Sequence, residues 1–413
     1  MDFTPTEEQR AARGLAAEIF ADLSTPERLG ALGTATDTEL WRALCAAGLP
    51  GAVEDIGLLG LALLLEEQGR TTAQVPFAAT CVYGLLAIAA HGTAEQRDRL
   101  LPGLRDGSAV ATGAFSGDAG HTGYGGAALP VAVRDAAGPG ARLTGTVPLV
   151  PWLDAATLLL VPDDGRRLWL VRATGPGVGI EPVATTAPWS AGRLTLRDAP
   201  AERLGEPGES RQAGQDPGPA PYDDVLATAR TAFAALQAGV CAGALARAVT
   251  HTTTREQFGR PLSTNQGVLL RAADAHLDTE AIRVTAYEAA WRRDAGLDAA
   301  PHALTAAWWA SEAGKRVVHT GQHLHGGIGA DTGHPVHRHF LWGRQLDAYL
   351  GSGAQLLEEL GTLLTEGEGV GEGEDEGAGQ GKGEGEGMDR SGDQRGRGDQ
   401  GDGGPATGER IPV

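Results

Sequence analysis

The stretch TREQFGRPLSTNQ (Thr254–Gln266) joins two long helical patterns and concentrates hydrogen-bond donors at one place in the chain. The guanidinium of Arg255 offers a planar fork of donors that matches phosphate oxygens. A helix that begins at Ser263–Gln266 adds backbone N–H groups near its positive N-terminus. The stretch therefore predicts either a phosphate-binding loop or, more simply, an arginine that ends one helix and a glycine turn that leads into the next.

The helical patterns on both sides of this stretch predict a bundle. Apolar residues recur on one face of the first long helix, at Leu226, Ala229, Ala232, Leu236 and Val240. Short loops join the predicted helices, which is typical of a helical bundle. The four predicted helices are Asp223–Thr253, a second from Ser263 or Asn265 to about Arg293, Pro301–His323 and Pro335–Thr365.

Two regions of different pattern precede the bundle. Residues 1–105 are typical of helices, with Asp2 or Thr4 as the cap of the first helix and a nearly all-apolar, buried helix at Val82–His91. Residues 106–204 hold short β-branched or alternating runs separated by Gly, Pro and Asp turns, which predicts a small antiparallel sandwich or barrel. The predicted fold class is therefore α+β.

The predicted domain boundaries follow these changes of pattern. They are an N-terminal helical domain at 1–105, a central antiparallel β domain at 106–204, a linker at 205–222, a C-terminal four-helix bundle at 223–365 and a tail at 366–413. The acidic, glycine-rich tail holds almost no apolar residue and cannot offset the entropy lost on ordering. We therefore expect the tail to be disordered.

Composition and charge exclude several classes of protein. The 413-residue chain carries a formal net charge of −19, and an acidic chain without a basic stripe argues against nucleic-acid binding. The apolar run Val82–Ala90 is too short to cross a membrane, and the polar start MDFTPTEEQR does not read as a signal peptide. Three scattered cysteines without a C-x-x-C pair fit reduced thiols, so the sequence predicts a cytoplasmic protein.

Two stretches near the C-terminus complete a set of three motifs. His323–Gly329 reads HLHGGIG, and Tyr349–Ser352 reads YLGS. With Arg255–Gly259 (REQFG) and Gln266 they resemble the acyl-CoA dehydrogenase family, which carries R-x-x-F-G, a later Gln, Q-x-x-G-G-x-G and Y-E-G-T. The order helices, strands, helices also matches that family over about residues 1–365.

The resemblance implies FAD as the cofactor and assigns contacts to the first motif. In the family, the arginine contacts the FAD pyrophosphate of a neighbouring subunit, and the phenylalanine and glutamine contact its adenosine and pyrophosphate portions. Carried over, these roles fall on Arg255, Phe258 and Gln266.

The other two motifs add further candidate contacts to the cofactor. The family's glycines allow close approach of the backbone to the ADP half of FAD, a role that falls on Gly326 and Gly327. His323 stands where the family has glutamine, with Gln322 one place early. Ser352 keeps the hydroxyl that the family's threonine points toward the flavin.

The histidines of this region raise the question of a metal. His319 and His323 lie four apart on a predicted helix. The combination of ligands with a carboxylate that marks a zinc enzyme is absent from the sequence. We therefore predict no metal, and we expect these histidines to cap, pack or line the nucleotide. Those that follow are His325, His334, His337 and His339.

The position of the catalytic base holds an apolar residue. In the family, the glutamate of Y-E-G-T removes the α-proton of an acyl-CoA thioester while the β-hydrogen leaves as hydride to the flavin, and the base must be ionised and close to the α-carbon. Leu350 stands at that position, and Ala229 stands at or near the alternate position that some members use. Asp224 and Asp347 are the nearest acids, and we expect them to be surface or capping residues.

Two segments that hold the flavin ring in the family are also altered. The family's T-E-P-x-x-G-S-D stretch is replaced by FSGDAGH (Phe115–His121). In VPLVPW (Val147–Trp152), Leu149 occupies the position of the stacking tryptophan. The elements that reach a neighbour's FAD are therefore kept, while those that hold the ring are lost.

This combination resembles the paired subunits of actinobacterial dehydrogenases for steroid and bulky acyl-CoA thioesters. Those assemble as α2β2 heterotetramers with one catalytic glutamate per pair. The resemblance implies a non-base subunit, a homologous catalytic partner and an acyl-CoA substrate, and it leaves room for an electron-transfer acceptor. Two alternatives stay open: a flavin oxidase or monooxygenase of secondary metabolism on the same fold, and a flavin-free scaffold subunit.

Overall fold

The computed structural model describes residues 2–115, 131–134, 140–205 and 219–371. Along the chain, a set of helices is followed by strands and then by a second set of helices. The N-terminal helices are α1 (Glu7–Leu23), α2 (Pro26–Leu32), α3 (Thr38–Ala46), α4 (Leu49–Thr71), α5 (Phe77–Ala79), α6 (Ala87–His91) and α7 (Ala94–Arg105), with a π-helical segment at Thr80–Leu86. The C-terminal helices are α8 (Pro221–Thr254), α9 (Gln266–Asp294), α10 (Ala300–His325), α11 (Pro335–Leu346) and α12 (Gly353–Gly371).

The central strands form one sheet, and two short strands form a separate hairpin. The sheet contains β1 (Ala111–Gly113), β2 (Val131–Arg134), β3 (Gly140–Pro151), β4 (Leu158–Pro162), β5 (Leu168–Arg172), β6 (Val178–Pro182) and β7 (Ala191–Arg203). The hairpin is β8 (Glu256–Gln257) with β9 (Arg260–Pro261). Helical regions come before and after the strands along the chain, and this mixed α+β fold confirms the predicted class.

The sheet differs from the predicted antiparallel sandwich or barrel in two ways. Its seven described strands lie in one sheet, in the order β1-β4-β5-β7-β3-β2 with β6 on β7. The β1–β4 pair is parallel, although every other pair in the sheet is antiparallel. The long connection through β2 and β3 explains this pair, because parallel neighbours need a long crossover instead of a tight turn.

Helix α8 forms the centre of the hydrophobic core. By length and composition it could cross a membrane, as could the bent pair α3–α4 taken together. However, 72% of the most apolar 18-residue window of α8 is buried within the protein. Alanines dominate its buried face, so neighbouring helices approach it closely.

Two glycines allow α4 and α8 to cross with their backbones in contact. A Cβ at Gly239 would clash with the carbonyl oxygen of Glu66, and a Cβ at Gly69 would clash with the carbonyl oxygen of Leu236. Backbone atoms within packed helices cannot move aside as a flexible side chain can. The crossing therefore requires residues without a Cβ on both helices.

Gly239→Ala is expected to lower the free energy of unfolding by about 1–3 kcal/mol, because overpacking forces two helix backbones apart. Chemical denaturation followed by circular dichroism measures this loss. Gly361→Ala is the matched control, since its added Cβ meets nothing within 4 Å. An unchanged unfolding midpoint for Gly239→Ala would show that the crossing tolerates a methyl group.

The C-terminal bundle differs from its prediction in the last helix. The predicted Pro335–Thr365 helix is two helices, α11 and α12, separated by a break at 347–352. Gly351 has φ +124°, a conformation that favours glycine and cannot continue a helix. Helix α12 is described as far as Gly371, and residues 372–413 of the predicted tail lie outside the described residues.

The first helix begins later than predicted. Its cap is Thr6, not Asp2 or Thr4, because Thr6 and Gln9 exchange side-chain and backbone hydrogen bonds in a capping box. Helix α2 and strand β6 were not predicted at all. Both are short and carry weak apolar periodicity, which is the signal on which such predictions depend.

Candidate cofactor and active site

The stretch Thr254–Gln266 begins with a hairpin at the end of α8. Strands β8 and β9 pair antiparallel and leave Phe258 and Gly259 as the two turn residues. Their φ values, +54° and +75°, are typical of a two-residue type I′ turn. The side chain of Phe258 is 100% exposed. An aromatic ring that contacts nothing in its own fold offers an apolar group to another molecule.

Polar side chains lie at the base of this hairpin. The Arg255 N–H donates to the carbonyl of His251, and its own carbonyl accepts from the N–H of Leu262 at 2.9 Å. Its side chain is exposed and has no carboxylate partner among the described residues. Asn265 caps α9, and Gln266, the first residue of that helix, is also exposed. Both predicted phosphate contacts are therefore at the surface.

The glycine motif forms an open turn after α10. Gly326 has φ +67°, and an added Cβ at Gly326 or Gly327 would meet nothing within 4 Å. Gln322 donates from Nε2 to the carbonyl of Gly329 at 3.2 Å and so holds the turn against α10. The structure thus places Gln322, the glutamine one position early, on the glycine turn.

The side chain of His323 lies in a groove and not on the glycine turn. It is exposed and lines a groove of about 890 Å³ beside α9 and α10. Cationic side chains outnumber carboxylates along this groove, whose other lining residues include Arg271, Asp278, Lys315, Arg316, His319 and Arg344. The role predicted for His323 at the ADP half of FAD stays a prediction.

Three histidines form a cluster beside the hairpin and the glycine turn. The rings of His251 and His325 stack at 4.6 Å between centroids, and the ring of His334 meets His325 edge-on at 5.0 Å. The Nδ1 of His325 lies 2.7 Å from the carbonyl of Gly321, to which it donates. Within the described residues, no group of three or more His, Cys, Asp or Glu side chains has a geometry that could hold a metal ion.

The residue at the base position lies in the break between α11 and α12. Leu350 is half-buried and packs against the main core. Tyr349, beside it, is buried, and its hydroxyl lies 3.3 Å from the hydroxyl of Tyr83. Burial raises the pKa of both tyrosines well above the ordinary value, so both are protonated. Neither leucine nor a protonated tyrosine can serve as the carboxylate base.

Aromatic rings fill the interior behind Tyr349. Phe233 packs edge-on against Tyr349 at 4.7 Å, and Tyr83 stacks on Phe115 at 5.1 Å. Phe115 in turn stacks on Tyr222 at 5.7 Å. All five rings are buried. We call this set the aromatic ladder.

The alternate base position and the nearest acids are also unsuited to proton abstraction. Ala229 is fully buried in α8. Asp347 pairs with Arg344 at 2.6 Å. Asp224 is not the surface or capping residue that we expected, because it lies largely buried between His91 at 2.7 Å and Arg293 at 3.2 Å. Asp224 is therefore held in a partly buried pair with a histidine and an arginine, which is a structural role.

The region predicted to hold the flavin ring is irregular. Leu149 lies between Val147 and Val150, where the register of β3 against β7 shifts. Trp152 follows three residues later but turns inward, where it packs on Trp189 at 5.0 Å and is fully buried. Trp152 therefore cannot replace the missing stacking ring. Residues 116–121 of the altered stretch lie outside the described residues.

Comparisons with known proteins match this architecture. The chain matches the acyl-CoA dehydrogenase N-terminal domain over residues 6–108 and the acyl-CoA dehydrogenase C-terminal domain over residues 222–362. It is 36% identical over 388 residues to acyl-CoA dehydrogenase FadE27 of Mycobacterium tuberculosis (strain ATCC 25618 / H37Rv), covering 89% of this chain and 99% of that protein. The chain belongs to the acyl-CoA dehydrogenase family. Its members are FAD-dependent oxidoreductases that act on CH–CH bonds.

Two solved acyl-CoA dehydrogenase structures are similar over nearly their whole length. One is a variant of the Tcur3481–Tcur3483 steroid ACAD, with 44% identity, a TM-score of 0.80, and coverage of 88% of this chain and 99% of that one. The other is the ChsE4–ChsE5 complex from Mycobacterium tuberculosis, with 34% identity, a TM-score of 0.78, and coverage of 89% and 99%. The predicted resemblance to the heteromeric actinobacterial type of acyl-CoA dehydrogenase is thereby confirmed.

The described residues of this acyl-CoA dehydrogenase fit one half of FAD better than the other. Exposed Arg255 and Gln266 and an open glycine turn at Gly326 offer donors and close backbone approach, which suit a pyrophosphate with its adenosine. The ring half lacks comparable partners, because Leu149 carries no ring and the hydroxyl of Ser352 donates to Oε1 of Gln355 at 2.9 Å. Among the described residues, the hairpin and the glycine turn therefore suit the pyrophosphate and adenosine half of FAD.

Sequence reasoning on this acyl-CoA dehydrogenase chain missed His251 and Arg247. Both lie on α8, about 80 residues before the histidine-rich stretch, and neither belongs to a motif. Only the packing of the end of α8 against the end of α10 brings His251 onto His325. The one signal in the sequence was the position of His251 four residues before Arg255.

Proposed function

We propose that this chain is the subunit without the catalytic base in a heteromeric FAD-dependent acyl-CoA dehydrogenase. One observation carries the proposal: Leu350 occupies the base position against a core closed by Tyr349 and Tyr83. Proton abstraction from the α-carbon needs an ionised carboxylate, which this part of the chain does not provide. The partner subunit supplies that base.

The contribution of this chain to the shared site is the hairpin with the glycine turn. Arg255 binds the pyrophosphate of FAD held chiefly by the partner, while Phe258 and Gln266 contact its adenosine and pyrophosphate portions. Bound FAD supplies the hydride acceptor of the reaction. The full exposure of Phe258 and the lack of a carboxylate beside Arg255 among the described residues support this role.

An apolar stripe on α9 supports a homologous partner. Leu270, Leu277 and Val284 are spaced seven residues apart and are 57%, 67% and 50% exposed. Seven-residue spacing places them on one face of the helix, and such a face packs against another helix. A second subunit of the same fold, in an α2β2 assembly, offers the matching helix.

The proposed substrate is an acyl-CoA thioester with a bulky polycyclic acyl group. Support comes from the similarity to a solved steroid ACAD over 88% of the chain. The aromatic ladder fills the interior behind Tyr349 with buried rings in this chain. The acyl group therefore enters the partner's side of the shared site.

Purification of the full chain alone and together with the product of the adjacent gene tests this proposal. We expect the pair to carry FAD and to desaturate an acyl-CoA, and the chain alone to do neither. Desaturation by the chain alone would refute the proposed role. Oxygen consumption by FAD-loaded chain alone would instead indicate an oxidase or monooxygenase, and a colourless pair would indicate a scaffold.

Leu350→Glu in the chain alone is expected not to create a desaturase. The new carboxylate would lie beside Tyr349 and the rings behind it, and the chain alone lacks the FAD that accepts the hydride in the proposed complex. Formation of the unsaturated steroid acyl-CoA with added FAD and an artificial electron acceptor measures the reaction, and Leu350→Gln is the isosteric control. Turnover by Leu350→Glu about tenfold above that of Leu350→Gln would show that an intact acyl site is present.

A further inference from the structure

The histidine cluster lies where three segments of the bundle converge. His251 is one turn before Arg255 near the end of α8, His325 ends α10, and His334 precedes α11. The Nδ1 of His334 accepts the N–H of Val336 at 3.2 Å, which leaves its Nε2 as the hydrogen-bearing atom. The cluster therefore borders both the phosphate-binding arginine and the open glycine turn.

The charges around the cluster are mostly positive. Arg247 and Arg255 face it from α8, and neither has a carboxylate partner among the described residues. Asp331, on the loop before α11, is the acid that faces His334. Within the described part of the chain, three imidazoles and two guanidiniums thus lie near one carboxylate, that of Asp331. An anion with two or more charges would offset this imbalance.

In the free protein His251 and His334 have lowered pKa values and so resist protonation. Burial, then His325 and Arg255, lowers the pKa of His251 below its ordinary value. Burial, then His325, Arg247 and His251, lowers the pKa of His334, and Asp331 offsets this only in part. An adjacent phosphate favours the charged form and reverses the shift.

We propose that His251, His325 and His334 form a phosphate-binding wall that takes up protons when a nucleotide diphosphate binds beside the glycine turn. The inference rests on the proposed contact of this chain with FAD and adds residues that no motif assigns. Neutral imidazoles stack without mutual repulsion while the site is free. A bound diphosphate then stabilises the imidazolium form and gains charge-assisted hydrogen bonds from Nε2 atoms.

Because the bound diphosphate stabilises the protonated histidines, its affinity for the chain must depend on pH. Binding raises the pKa of the histidines, so affinity increases as the pH falls through their pKa in the complex and levels off below their pKa in the free protein. If one histidine rises by about one pKa unit, affinity increases about tenfold across that window. The window lies around and below the ordinary histidine value of about 6.5.

Calorimetric titration of the full chain with ADP-ribose tests the proposal. Both phosphates of ADP-ribose are esterified, so the charge of the ligand stays constant while that of the protein changes. We expect affinity to increase about tenfold from about pH 8 to about pH 5.5. Repeating the titration in buffers of different ionisation enthalpy counts the protons taken up, and we expect about half a proton midway between the pKa in the free protein and the pKa in the complex.

Two variants test whether His251 and His334 cause the pH dependence of ADP-ribose binding. The double variant His251→Asn with His334→Asn is expected to bind with an affinity that no longer depends on pH, and asparagine keeps the cap of α11. His302→Asn, which removes a histidine paired with Glu288, is the control and should retain the dependence.

Three results would overturn the proposal. They are pH-independent binding by the unaltered chain, a retained dependence in the double variant, or no binding up to about 10 mM ADP-ribose at low pH, where linkage predicts the strongest signal. Failure of the proposed function gives a different signature. In that case the chain alone desaturates an acyl-CoA, whatever the pH dependence of its nucleotide binding.

Discussion

Arg255→Ala in the assembled heteromer is expected to weaken FAD binding about 10- to 100-fold. The proposed bond from the guanidinium to a pyrophosphate oxygen is charge-assisted, and such bonds contribute about 1.5–3 kcal/mol. The N–H of Arg255 donates to the carbonyl of His251 and ends α8. Removal of the side chain should therefore leave the end of the helix intact. Loss of flavin fluorescence quenching on dilution measures the release of FAD.

Two further variants sharpen the Arg255 experiment. Arg255→Lys keeps the charge but loses the planar fork, so we expect an intermediate loss of affinity. Arg193→Ala, on the sheet beside Glu181, removes an exposed arginine of similar charge and should leave FAD binding unchanged. If Arg255→Ala binds FAD as tightly as Arg193→Ala does, the hairpin does not contact the cofactor.

Leu277→Glu is expected to weaken assembly with the partner about 100- to 5,000-fold. Leu277 is the most exposed residue of the α9 stripe, at 67%, so the monomer tolerates a carboxylate there. In a helix–helix interface the same carboxylate is buried without a partner, which costs about 3–5 kcal/mol. Analytical ultracentrifugation of the mixed subunits measures the dissociation constant.

Leu15→Glu provides the matched control for assembly. Leu15 is 42% exposed on α1 and is not part of the α9 stripe, and its replacement should leave the dissociation constant unchanged. Circular dichroism of each variant alone confirms that the fold is intact. Co-purification of Leu277→Glu with the partner at unaltered affinity would place the interface elsewhere.

Local patterns predicted the fold class and the position of the loop after α8 well. Periodic apolar residues marked α8, α9 and α10 to within three residues at either end, because each helix buries a continuous face. The motif Arg255–Gly259 carries its own turn chemistry in Phe258 and Gly259, so the sequence alone located this loop. Features encoded by neighbouring residues were therefore accessible without the structure.

Features that depend on tertiary contacts were not accessible. The break at 347–352 separates two stretches that each read as helix, and only the backbone of Gly351 reveals the interruption. Trp152 could have been a stacking ring by its sequence position, but packing on Trp189 turns it inward. The pairing of His251 with His325 joins residues 74 positions apart, and no local pattern predicts such a contact.

The central claim is that this chain completes a partner's active site and has none of its own. Its most direct test is the ratio of FAD to protein, with acyl-CoA desaturation, in the chain alone and in the purified heteromer. We predict one FAD for each pair of unlike subunits and desaturation only by the heteromer. Stoichiometric FAD and desaturation in the chain alone would contradict the account.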